Sequence, residues 1–79
     1  MKISNNPYET YPRPITLRKA LSKISKNGDE FANVFIEKVS SNSFLASQNV
    51  KSYLNRGSAA IVFETSDGQI LKLTEGSHF

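Results

Sequence analysis

Apolar residues recur along this chain at two spacings, first that of a helix and then that of a strand. Leu17, Ala20, Leu21 and Ile24 stand at i, i+3, i+4 and i+7, which gathers them into one stripe of a helix over 16–26. Thr16 suits the N-cap, Asn27-Gly28 is a stop signal, and Lys23 and Lys26 suit the negative end of the helix dipole. A second helix is expected from Asp29, whose side chain can accept the free amide hydrogens of a first turn. Its stripe is Ala32, Phe35, Ile36 and Val39, widened by Phe31 and Val34, and it stops at Ser40-Ser41-Asn42-Ser43. The short connection makes the two helices an antiparallel or angled pair.

From Phe44 to Leu54 two readings stand. Ser47 can cap a short helix burying Val50, Tyr53 and Leu54, while Val50 to Leu54 also alternates as a strand; a strand, after a short turn or without one, is expected. Beyond it, Ala60–Thr65 and Gln69–Thr74 flank Ser66-Asp67-Gly68 as a β-hairpin. A two-residue loop would pair Phe63 with Lys72, mixing a large apolar group and a charge on one face. A three-residue loop with Gly68 at positive φ pairs Val62 with Lys72 and Phe63 with Leu71. Ile61, Phe63, Leu71 and Leu73 then share a core face, and Val62, Glu64, Ile70 and Lys72 share the other. Register follows the apolar pattern where one face is buried, so the three-residue loop is expected.

Residues 1–15 hold all three prolines, Pro7, Pro12 and Pro14, and read as an extended arm that Tyr8 and Tyr11 pin to the body. A chain of 79 residues makes one domain at most, and its 38% apolar content suffices for one small core. Without cysteine there is neither a disulfide framework nor a thiolate metal site, and His78 has no second histidine nearby, so no metal centre is expected. The N-terminus lacks an apolar signal segment and no run is long enough to span a bilayer, so a cytoplasmic protein with no membrane partner is expected. Charge is lopsided. Residues 1–28 carry six Lys and Arg against one Glu, whereas residues 29–79 carry four against six Asp and Glu. The basic half can face an anionic partner or remain a solvated helix face.

The stretch Leu54-Asn55-Arg56-Gly57-Ser58-Ala59-Ala60-Ile61-Val62-Phe63 resembles the nucleotide loop of protein kinases, G-x-G-x-x-G-x-V. Asn55 stands at the first glycine, Gly57 at the second, Ala60 at the third and Val62 at the valine. Lys72, ten residues after Val62, closes Ile70-Leu71-Lys72, which is similar to the A-x-K of the family's third strand. The resemblance covers roughly residues 50–74, about a third of the chain. It implies that Asn55, Gly57, Ser58, Ala60, Val62, Ile70 and Lys72 bind nucleotide, with Lys72 in the catalytic role of holding the α- and β-phosphates. ATP with Mg would be the cofactor of a complete kinase of serine/threonine type. The chain has no H-R-D or D-F-G and no partner glutamate on a following helix, so alone it is expected to be inactive and to take no cofactor.

The expected fold is therefore α+β: an arm over 1–15, then over 16–79 two N-terminal helices followed by a β-hairpin or small sheet like the start of a kinase N-lobe. Its expected partner is the remainder of a kinase fold, or a protein covering the hairpin. A short regulator of a kinase-like partner is an alternative, and so is a winged-helix module binding nucleic acid, which requires a helix rather than a strand over 47–55.

Overall fold

The computed structural model describes residues 8–75. The readings of Met1–Asn6, Pro7 and His78 lie outside them. Strand β1 (Glu9–Thr16) comes first, followed by helices α1 (Leu17–Lys26), α2 (Ala32–Ser40) and α3 (Ser43–Ala46), then strands β2 (Asn49–Gly57), β3 (Ala60–Thr65) and β4 (Ile70–Thr74). The strands form one antiparallel sheet in the order β1-β2-β3-β4. The expected order, two N-terminal helices and then a hairpin, is thus corrected. Half of the supposed arm is an edge strand, and the hairpin is the outer half of a four-stranded sheet.

The prolines concealed β1. Pro12 and Pro14 have no N–H to give a ladder, so they fit a strand only at an edge or in a bulge. β1 uses both solutions. It lies at the sheet edge, and between the pairs Thr10–Ser52 and Ile15–Val50 the residues Tyr11, Pro12, Arg13 and Pro14 oppose the single Lys51. The ladder resumes beyond that arch, and Tyr8 is fixed by its N–H to the Tyr53 carbonyl at 2.7 Å and by an edge contact between the rings at 5.0 Å.

Helix α1 follows its sequence signals closely. The Thr16 hydroxyl accepts from the Lys19 amide at 3.2 Å. At the other end, Gly28 takes φ of 107°, its amide donates to the Ser25 carbonyl, and the Asp29 amide donates to that of Ile24. Helix α2 begins later than expected, because residues 29–31 form a turn in which Asp29 accepts the Phe31 amide at 3.2 Å. The polar cluster that ends α2 also starts α3: the Asn42 side chain accepts from the Leu45 amide at 3.1 Å.

All three helices lie in the connection between the adjacent strands β1 and β2, and they cover one face of the sheet. A single core cluster contains Leu17, Leu21, Phe35 and Val39 from the helices together with Val50, Ile61, Phe63 and Leu73 from the strands. The chain therefore covers its own hairpin face, without recourse to a second molecule. The register is that of the three-residue loop, with Val62 opposite Lys72, Phe63 opposite Leu71 and Gly68 at φ of 89°. Phe63 is fully buried and Leu71 packs at the margin of the core. No described helix is long and apolar enough to cross a membrane.

One group sits badly in this core. The Tyr11 hydroxyl is buried and has no hydrogen-bond partner among the described residues. Burial, reinforced by Glu9 and then Tyr53, pushes its pKa up, so the group stays neutral. An unpaired buried hydroxyl costs on the order of 1–3 kcal/mol. Tyr11→Phe removes that cost while keeping the ring, so it should raise the midpoint of urea unfolding, by about 1 kcal/mol in stability. A loss of stability would place a partner on that hydroxyl.

Candidate functional site

The three antiparallel strands β2, β3 and β4 bring the sequence-predicted site residues into rows. Asn55 pairs with Val62, and Val62 pairs with Lys72, so these three stand in one row across the sheet. Gly57, Ala60 and Thr74 form the next row, and Ser52, Glu64 and Ile70 another. Directly opposed residues share a face of an antiparallel sheet. Since Ile61, Phe63 and Leu73 point to the helices, the Asn55–Val62–Lys72 row lies on the outer face. Ile70 is 64% exposed there, Val62 is half-buried, and Lys72 is exposed with no ion pair among the described residues. Glu64 on the same face is engaged by Lys51 at 3.5 Å.

Local geometry explains how the row is held. β2 carries irregularities between Val50 and Ser52 and between Tyr53 and Asn55, each of which shifts its register against β3. The second one keeps Tyr53 on the core face beside Phe63, with ring centroids at 5.7 Å, and still sends Asn55 outward. Ser58 and Ala59 then form a tight connection between Gly57 and Ala60. Gly57 has no left-handed φ, and a Cβ there would meet only the Ala60 Cβ at 3.8 Å. Neither does Asn55 need positive φ. The fold itself makes no demand for glycine at position 57.

Sequence reasoning missed Arg56, and the structure makes it the anchor of this loop. Arg56 pairs with Ile61 in the ladder, which directs its side chain to the helix side. There Nε donates to Asp29 Oδ2 at 2.6 Å and a terminal nitrogen donates to Oδ1 at 3.1 Å, while the guanidinium lies 4.3 Å from the Phe31 ring centroid. Its other terminal nitrogen donates to the Gly57 carbonyl. A forked pair of this kind fixes orientation as well as energy. The hydrogen bond from Arg56 holds the Asp29 carboxyl below the usual carboxylate range, against the opposing effect of burial. Asp29 does not cap α2, whose N-cap is Phe31 without a side-chain cap; the same carboxylate accepts the Phe31 amide in the turn before the helix.

No group of three or more His, Asp or Glu among the described residues is arranged to hold a metal. The third helix that a winged-helix module needs over 47–55 is replaced by β2, which overturns that element of the nucleic-acid reading. No family model, curated protein or solved structure matches the chain.

Because Asp29 titrates low when folded, it stabilises the fold above its unfolded pKa, near 4, and that contribution disappears as pH falls through the folded value. Asp29→Asn and Arg56→Ala should each cost about 1–2 kcal/mol at neutral pH, a partly exposed forked pair plus a ring contact. The double variant should cost little more than either single one. Thermal unfolding from pH 3 to 7 checks both statements, since the variants should lose the acid-side slope assigned to Asp29.

Proposed function

We propose that this chain supplies the nucleotide loop and lysine strand of a protein-kinase-like, ATP-dependent phosphotransferase of serine/threonine type in the cytoplasm, and that it is inactive by itself. The observation that carries the reading is the row Asn55–Val62–Lys72 on the outer face of three consecutive antiparallel strands. The formation of β2 over residues 49–57 supports it over a winged module.

Three features favour a nucleotide here. Val62 and the exposed Ile70 offer an apolar wall for a base, and Lys72 adds an ammonium with no ion pair among the described residues. Gly57 is a glycine for which the backbone has no use of its own, as expected where a ligand oxygen must approach the main chain closely. Arg56 holds the loop in place, yet its charge is already neutralised by Asp29, so attraction for phosphate falls to Lys72 and the loop amides. In this role Lys72 orients the α- and β-phosphates, while Ser58 adds a hydroxyl at the turn. Bound ATP with Mg supplies the transferable phosphoryl group in the complete enzyme. The chain's own residues bind and orient it. The partner that the reading requires is the remainder of the kinase fold, which would cover the outer face.

The purified chain should show no phosphotransfer, and Mg-ATP should bind in the millimolar range, perturbing amides at 55–62 and 70–72 in NMR spectra. Lys72→Ala should abolish those perturbations without unfolding the chain. Autophosphorylation lost with Lys72, or perturbations confined to other regions, would refute the reading.

Gly57→Ala separates ligand binding from folding. Stability should be unchanged or raised by less than about 1 kcal/mol, since the conformation suits alanine and the unfolded chain loses freedom. The nucleotide shifts should weaken, and a variant that binds as well as the parent would count against close approach at Gly57.

A further inference from the structure

The arch in β1 has a consequence on the opposite side of the molecule from Lys72. Where Tyr11, Pro12, Arg13 and Pro14 bow away from the ladder, they stand across from Lys19 and Lys23 of α1 and leave a cleft of about 450 Å³. Pro12, Pro14 and the half-buried Ile15 give this cleft an apolar wall, and Arg13, Lys19 and Lys23 are exposed cations on its rim. A second cleft of about 510 Å³ continues along α1 past the same two lysines to Lys26, with Glu9 as its one acidic group among the described residues. None of these cations has an ion-pair partner among the described residues. Lys19, Lys23 and Lys26 recur every three to four positions and so form one stripe of the helix.

We propose that the β1–α1 cleft is a docking site for an acidic protein segment bearing an apolar anchor. Charge complementarity sets the sign of the partner: among the described residues the clefts gather Arg13, Lys19, Lys23 and Lys26 against Glu9 alone. The apolar wall sets its kind. A nucleic-acid backbone would use the cations and leave the prolines and Ile15 wet, since the described cleft offers no exposed ring for a base to stack on. A peptide side chain fills that wall, while carboxylates on either side of it meet Arg13, Lys19 and Lys23. Two of the four residues in the arch have no N–H, so the segment is held by side chains and not by adding a strand. Proline also pre-sets the shape of the arch, which lowers the ordering cost of binding.

Fluorescence anisotropy with a labelled short peptide, Asp and Glu residues around a central Phe-Leu pair, tests this on the full chain. Saturable binding is expected, weakening with salt, with NMR shifts at residues 12–15, 19 and 23 of the chain. Exchanging Phe-Leu for Ser-Ser, or the acids for their amides, should weaken binding by about tenfold or more. Lys19→Glu with Lys23→Glu should do the same, as should Arg13→Glu, and Lys72→Ala should leave binding unchanged. These positions are exposed, and circular dichroism of each variant checks that the fold is kept; the shift map on the parent chain stands independently of them. The proposal is overturned if the peptide does not saturate, if the Ser-Ser peptide binds as tightly as the parent, or if the shifts map elsewhere. A single-stranded oligonucleotide of equal length that binds more tightly than the peptide overturns it as well, in favour of nucleic acid.

Discussion

One apolar sheet face must be covered, and the rest of this structure follows from how that is done. Val50, Tyr53, Ile61, Phe63 and Leu73 cannot be left in water: full burial of such side chains is worth roughly 1.5–3 kcal/mol each. The chain has no cysteine to staple it. It solves the problem within a single connection, sending α1, α2 and α3 across the face between two strands that are themselves neighbours. Before entering this excursion β1 arches away from β2 at its prolines and returns to it at Ile15, and the cleft beside α1 is the space the arch leaves.

Elements whose signal is local could be read from the sequence. The α1 stripe, its Thr16 cap and its Gly28 stop depend on neighbours within four residues, and each is present in the fold. The hairpin register was legible for a related reason, because one choice of loop sorts Phe63 from Lys72 and the other does not. β1 was not legible. Its alternation is broken by two prolines, and what makes it a strand is a partner, β2, whose own assignment was ambiguous. Nor was α3, a single turn whose cap lies inside the polar cluster that reads as the end of α2.

The candidate site was legible in part, and the same physical distinction divides it. Asn55, Val62 and Lys72 are separated by 7 and 10 positions, yet hairpin geometry alone places them in one row. Arg56 and Asp29 are 27 positions apart in different elements, and no periodicity predicts their meeting. Gly57 was singled out by the resemblance alone, and its backbone conformation is an ordinary one.

Arg56 of β2 and Lys72 of β4 stand on adjoining rows of the sheet, and the sheet separates their roles. Arg56 is turned to the helix side, where a carboxylate and an aromatic face satisfy it, so it stabilises the fold and contributes almost no net field outside. Lys72 is turned to the outer face, where Glu64 is taken by Lys51 and Lys72 has no ion pair among the described residues. Exchanging the two would place a strongly hydrated ammonium in a site built for a planar fork, and the forked geometry would be lost. The one-residue irregularity between Tyr53 and Asn55 is what sets this division. Without it, Asn55, Arg56 and Gly57 could not keep their faces while Tyr53 kept its place in the core, and the loop would lose either its tie to Asp29 or its ring contact with Phe63.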